Sequence, residues 1–277
     1  MSMARVGDAN IEYYLEGDGL PLLLISGFTA QASGWSDPFV ELLQRHFETI
    51  RYSHRGTGTS ERLSGEITLR DLADDAAGLL STLGIDKAHV LGVSMGGMIA
   101  QELALNHPQR VQGLVLGCTT CAGGAHSHRE GGAVPAAPEV IALLTPKPEL
   151  SREEQVRRSW PAVTTPEFIK SDPDVMEERL RRSLINPTPI ETAQRQMAAA
   201  QAFDAFDRLP EIKAPTLVIH GDRDVLVPVA NAQVLKNRIP SAELRIVRGA
   251  GHLFTFEFPE ESAAAVVEFL TKVPVEA

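Results

Sequence analysis

A single hydroxyl bracketed by glycines, Gly92-Val93-Ser94-Met95-Gly96, is the pattern in this chain best suited to covalent chemistry. It follows a segment that reads as a strand and opens one that reads as a helix, the context in which a nucleophile elbow forms. A nucleophile on so sharp a turn sits on strained backbone, so Gly92 and Gly96 leave room for strand and helix to approach closely. Ser94 is thereby lifted out at the carboxyl edge of the sheet. The helix start behind it places the Met95 N–H where negative charge develops on an attacked carbonyl. A glycine-rich turn with only a packing role is the plain alternative; the complete motif in this context favours the nucleophile.

The elements that must hold this turn follow from apolar patterning. Residues 10–16 alternate in part, as a half-buried strand does, whereas 21–25 (PLLLI) form a continuous apolar run, the mark of a strand buried on both faces. Residues 39–47 read as a helix and 48–52 as the next strand. The clearest helix is 68–83, with Leu69, Leu72, Ala73, Ala76, Leu80 and Leu83 on one face, Thr68 with Asp71 at its start and Gly84 at its end. Strand 89–93, helix 95–106 and strand 111–116 follow. Around Cys118 the rhythm changes: 119–208 holds a Gly- and Ala-rich loop, several prolines and charged helical stretches such as 174–184, with no convincing strand. Alternation resumes with strand 214–220, helix 229–238, strand 243–247 and helix 259–272. These alternations predict an α/β fold with a mostly parallel central sheet flanked by helices. The core domain comprises 1–118 and 209–277, and 119–208 is a helical cap inserted between two strands. Residues 123–132 are the candidate mobile loop.

Two further motifs lie late in the chain. His220-Gly221-Asp222-Arg223-Asp224 with Val227-Pro228 follows one strand, and Gly249-Ala250-Gly251-His252 follows the last. Together with the elbow they resemble the α/β-hydrolase fold family over nearly the whole chain outside the insertion. The neighbourhood is that of serine hydrolases of the 3-oxoadipate enol-lactonase and carboxylesterase type. The family's triad order is Ser, acid, His. The resemblance implies Ser94 as nucleophile, Asp224 as acid with Asp222 as its rival, and His252 as base. It also implies a second oxyanion donor after strand 21–25, where Ser26-Gly27-Phe28-Thr29 occupies the place of a His-Gly-x motif. The backbone N–H groups of Phe28 and Met95 are therefore the expected oxyanion hole. The chain departs from the pattern twice: Ser26 stands where the family usually has His, and Ser53, in Ser53-His54-Arg55-Gly56-Thr57-Gly58-Thr59-Ser60, where it usually has Asp. The strands ending at these serines run side by side in such a sheet, so the two side chains are expected to meet beneath the oxyanion loop.

Other patterns carry less. Cys118-Thr119-Thr120-Cys121 matches C-x-x-C but lacks a second pair or nearby ligands for zinc, so two ordinary thiols near the pocket are expected. His126, His128 and Glu130 sit on a glycine loop, a poor metal cage. Arg179, Arg181 and Arg182 with Glu177 and Glu178 read as a solvated helix face. The histidines other than His252 read as inert. Trp35 is a tentative substrate-binding residue, and with Phe28 it would line the acyl pocket, although either could equally be core.

Composition excludes other classes. The chain has 36 acidic against 26 basic residues, a formal net charge of −10, whereas phosphate neutralisation needs clustered Lys and Arg; no nucleic acid is expected. No apolar run approaches the ~20 residues of a membrane span, and the N-terminus carries no apolar segment resembling a secretory signal. A cytoplasmic protein is expected, with a small-molecule substrate, no cofactor and no metal; the sequence does not encode its oligomeric state legibly. The expected activity is cofactor-independent hydrolysis of an ester, lactone or thioester through an acyl-enzyme. Carbon–carbon hydrolysis and perhydrolysis share the triad, and a low-turnover ligand sensor of the same fold is the rival of another class.

Overall fold

The computed structural model describes residues 1–62, 65–126, 130–145, 147 and 149–274. Strands β1 (Ser2–Val6), β2 (Ala9–Glu16), β3 (Leu20–Ile25), β4 (Phe47–Tyr52), β5 (Ala88–Val93), β6 (Val111–Gly117), β7 (Thr216–Gly221) and β8 (Ala242–Val247) form one sheet. Its order is β1-β2-β4-β3-β5-β6-β7-β8. Only the β1–β2 and β2–β4 pairs are antiparallel; every pair from β4 to β8 is parallel.

The continuous apolar run in β3 has a physical cause. Its side chains alternate across the pleat, and both faces of the sheet are covered. Leu23 and Ile25 pack on the side of α2 (Leu69–Thr82) and α3 (Met95–Asn106), with Leu72, Ile99 and Ala100. Leu22 and Leu24 pack on the other side, against Phe39 and Leu43 of α1 (Asp37–Gln44). The start of α2 is a reciprocal cap: Asp71 N–H donates to Thr68 Oγ1 (3.2 Å) and Thr68 N–H to Asp71 Oδ2 (2.8 Å).

Three local expectations differ from what forms. Residues 2–6 make an unforeseen edge strand, because only Ala4 and Val6 face inward and so short an alternation is a weak signal. The first helix closes at Gln44, and Phe47 opens β4 as the register partner of Leu20. Between β6 and β7 lie helices α4 (Pro138–Leu144), α5 (Arg152–Val163), α6 (Pro166–Ser171), α7 (Pro173–Leu184) and α8 (Ile190–Ala202), of which the sequence showed chiefly α7. Among the described residues of this insertion the only β pairing is an isolated bridge, Ala122 with Asp204. After β7 come α9 (Ala230–Arg238), then β8, α10 (Phe254–Glu257) and α11 (Pro259–Leu270), the last covering the α1 side of the sheet. Among the described residues no helix is long and apolar enough to cross a membrane.

Candidate active site

The carboxyl ends of parallel strands are where loops of an α/β sheet converge. Here the ends of β3, β5, β6, β7 and β8 carry Gly27-Phe28, Ser94, Cys118, Asp224 and His252 respectively. Ser94 lies between β5 and α3 with φ 59° and ψ −124°, a left-handed backbone at a non-glycine residue. Such a residue costs on the order of 1–3 kcal/mol and persists only when its surroundings fix it. They do: Ser94 N–H donates to Gly117 O (2.9 Å), and Thr119 Oγ1 donates to Ser94 O (2.7 Å). The flanking glycines are obligatory for space. A Cβ on Gly92 would lie 2.2 Å from Gly96 O, and one on Gly96 would lie 2.1 Å from Ile25 O.

Asp224 is buried in the turn after β7. Its Oδ1 accepts from Leu226 N–H (2.9 Å) and Val227 N–H (2.8 Å), and its Oδ2 meets His252 Nδ1 at 2.7 Å. Burial pulls the Asp224 pKa up, but the charge of His252 and hydrogen bonds from His220 and His252 outweigh it. The carboxyl stands well below the ordinary carboxylate range. An ionised Asp224 is acceptor-only, so Nδ1 of His252 carries the proton of this bond and Nε2 is the nitrogen left to act as a base. Asp222 is exposed and accepts from Gly249 N–H (2.7 Å). The geometry thus brings His252 to Asp224 and not to its rival.

The loop after β3 runs beside Ser94: a Cβ on Gly27 would lie 3.2 Å from Ser94 Cβ. Among the described residues the N–H groups of Phe28 and Met95 have no hydrogen-bond acceptor. Thr29, at φ 56°, is held from the insertion. Its N–H donates to Gln196 Oε1 (2.9 Å), and its C=O accepts from Thr188 Oγ1 (2.9 Å). Below it, His54 Nε2 bonds Ser26 O at 3.0 Å. Burial lowers the His54 pKa from 6.5 to about 4, so the ring is neutral and donates there.

Ser26 and Ser53 do not hydrogen-bond each other, contrary to expectation. Ser26 Oγ donates to Ala30 O (3.5 Å), whereas Ser53 Oγ donates to Glu12 Oε2 (2.7 Å) and accepts from Ala32 N–H (2.9 Å). Glu12, on β2, also accepts from Thr59 N–H (3.0 Å). A carboxylate therefore supports this loop from a neighbouring strand. Sequence reasoning missed Glu12, Gln196, His54 and His220, whose Nε2 lies 3.4 Å from Asp224 Oδ2.

Cys118 and Cys121 are buried thiols, not joined in a disulfide. The ligand atoms of Cys118, Asp224 and His252 lie within 4.8 Å of one another, the one such group among the described residues. Burial, then the Asp224 charge, pushes the Cys118 thiol up, so it stays protonated. A metal there would have to deprotonate it and displace the Asp224–His252 bond. His126 faces Asp204 (3.7 Å), and His128 lies outside the described residues.

A cleft of about 700 Å³ opens between the core and the insertion, with Phe28, Trp35, Val156, Phe168, Arg179 and Phe256 in its wall. Ser94 and His252 are not among the residues lining it. Trp35 is only 5% exposed and stacks on Phe39 (6.2 Å), so it is mainly core and edges the cleft; Phe28 is 38% exposed.

Comparison with known proteins agrees with this architecture. The family described as alpha/beta hydrolase fold matches residues 21–259. A protein from Azorhizobium caulinodans, provisionally named carbamate hydrolase RutD, is 33% identical over 94% of each chain. A hydrolase from Pseudomonas aeruginosa PA01 superposes with TM-score 0.82 at 30% identity over 97% of each chain. The enol-lactonase of Burkholderia xenovorans LB400 superposes with TM-score 0.84 at 26% identity, over 98% of this chain and 100% of that one. The chain belongs to the α/β-hydrolase fold family and is a hydrolase.

Proposed function

We propose that this hydrolase cleaves an ester or lactone of a small molecule through a Ser94–His252–Asp224 triad and an acyl-enzyme. The observation that carries the reading is the 2.7 Å His252 Nδ1–Asp224 Oδ2 bond at the same sheet edge as a strained serine at a helix start. Ser94 Oγ attacks the carbonyl carbon while His252 Nε2 takes its proton. Asp224, ionised and anchored by two backbone N–H groups, holds the ring in the productive tautomer and stabilises the imidazolium. The tetrahedral oxyanion accepts from the Phe28 and Met95 N–H groups, for which the described residues offer no other acceptor. His252 then returns the proton to the leaving oxygen. Water, deprotonated by the same nitrogen, attacks the acyl carbon, and His252 passes that proton to Ser94 Oγ as the acyl bond breaks. Asp224 carries no proton at any step.

The printed name of the enol-lactonase neighbour supports an oxygen-linked carbonyl, and that of the Azorhizobium relative adds carbamates to the substrates to be tried. The test is intact-protein mass spectrometry after treatment with a fluorophosphonate. A single adduct mapping to Ser94, absent in Ser94→Ala together with turnover of p-nitrophenyl acetate, is the expected result. Labelling elsewhere, or Ser94→Ala retaining a tenth of the wild-type rate, would overturn the reading.

A further inference from the structure

Among the described residues no anionic group holds Arg179 in the wall of the core–insertion cleft, in contrast to Arg182; Arg152, likewise without an anionic partner, lies exposed at the start of α5. Arg179 lies half-buried on α7, its guanidinium carbon 5.8 Å from the centre of the Phe256 ring. Its neighbours on the helix are committed. Arg182 pairs with Asp37 (Nη1–Oδ1 2.9 Å) and Glu178 (2.8 Å), and Arg181 pairs with Glu178. Among the described residues no carboxylate pairs with Arg179. Burial lowers its pKa, whereas the carboxylates paired with Arg182 push that group up. A guanidinium taken partly out of water and matched only by a ring face leaves most of its N–H donors unanswered. Those donors form a planar fork that fits a carboxylate. The position suits substrate contact: Phe28, which offers an oxyanion N–H, lines the same cleft, and Phe256 follows His252 on α10.

We propose that Arg179 binds a carboxylate carried by the substrate, so that the enzyme's substrates are half-esters of small dicarboxylic acids. This rests on the serine-hydrolase reading above. The exposed Asp174 and Glu260 in the same lining favour a single negative charge over a phosphate dianion. A volume near 700 Å³ is of the size that holds small molecules.

The test compares monomethyl glutarate with dimethyl glutarate on the wild type, Arg179→Gln and Arg179→Lys. The wild type should prefer the half-ester. Arg179→Gln should lower the half-ester to diester ratio of kcat/KM by about 10- to 100-fold, mainly through KM, as expected for a charge-assisted pair. Arg179→Lys, which keeps the charge but not the fork, should retain part of the preference. An unchanged ratio in Arg179→Gln, or a wild type without preference, overturns the proposal while leaving the serine-hydrolase reading in place. Phenyl phosphate inhibiting as strongly as benzoate would overturn the choice of a carboxylate. If the wild type cleaves neither ester, the hydrolase reading is what fails, and calorimetric titration with monomethyl glutarate then decides the subsite alone. Binding lost in Arg179→Gln supports it, and equal binding by both proteins overturns it.

Discussion

Replacing Gln196 by Met tests whether the insertion holds in place the loop proposed to form the oxyanion hole. Gln196 is fully buried on α8, and its Oε1 is the acceptor for Thr29 N–H at 2.9 Å. That N–H can only donate, so the amide oxygen must face it. Methionine matches the length of glutamine but offers only a weakly accepting thioether. The part-buried N–H then loses its partner, at a cost of up to about 1–3 kcal/mol. If the loop moves to recover a partner, Phe28 N–H moves with it, because Thr29 is the next residue. The same energy appearing at the transition state corresponds to a fall in kcat of roughly 5- to 150-fold. KM should change little, since the oxyanion forms only after attack. Steady-state kinetics on p-nitrophenyl acetate reads the effect, and urea unfolding separates it from a global loss of stability. Thr188→Val, which removes the bond to Thr29 O, should act in the same direction. A folded Gln196→Met enzyme with kcat within twofold of the wild type would show that the loop holds its geometry without α8, and would refute this account.

Asp224→Asn should lower kcat on the order of 10⁴-fold by favouring the wrong imidazole tautomer, whereas Asp222→Asn, which loses only a bond to Gly249, should cost far less; reversed effects would exchange the two roles. Ser53→Asp places a second carboxylate against Glu12 and should destabilise the fold by roughly 3 kcal/mol, with Glu12→Gln recovering part of it in a denaturant double-mutant cycle; additive effects would mean that the two side chains do not interact. His54 and His89 are both lowered by burial to about 4 from 6.5. The unfolded chain protonates them between these values and the native chain does not, so their stability contribution is complete above pH 6.5 and is lost as pH falls toward 4. The slope should be about 1.4 kcal/mol per pH unit for each ring. Urea midpoints at pH 7, 6 and 5 should show it, and His89→Leu should halve it; an unchanged slope would mean that His89 is protonated in the fold. Deleting 119–208 should lower turnover itself and not only alter substrate range, because Gln196 and Thr188 hold Thr29 while Val163 O accepts Leu253 N–H (2.8 Å) beside His252; a lidless enzyme with wild-type kcat on a small ester would contradict this.

What the sequence made legible was local. β3 and β5 to β7 announce themselves because strands buried on both faces cannot alternate, and the elbow does so because backbone comes within 2.2 Å of where side chains would start. The insertion was opaque for an equally local reason. Pro138, Pro166 and Pro173 read as breaks, yet each occupies the first turn of a helix, where its missing N–H has no intrahelical role. Pro161 stands inside α5. The second-rank residues of the site were opaque because each acts across a large sequence separation. Glu12 serves a loop at 53–59, and Gln196 serves a turn at 29. His220 and His54 read as inert because no pattern along the chain says which histidine lies under a catalytic loop.

The two departures from the family pattern acquire a common explanation in these contacts. A His at 26 and an Asp at 53 would supply a cation-capable ring and a carboxylate beneath the oxyanion loop. In this chain the ring comes from His54, bonded to Ser26 O, and the carboxylate from Glu12, bonded to Ser53 and Thr59. Ser53 is small enough to pass that support on, accepting from Ala32 N–H while donating to Glu12. A second aspartate at 53 would meet Glu12 as a like charge, so the serine is what makes the glutamate tolerable. The departures are therefore paired with Glu12 and His54 rather than with each other. A hydrolase of this fold that keeps Asp at 53 should accordingly carry a neutral or apolar residue at the position of Glu12.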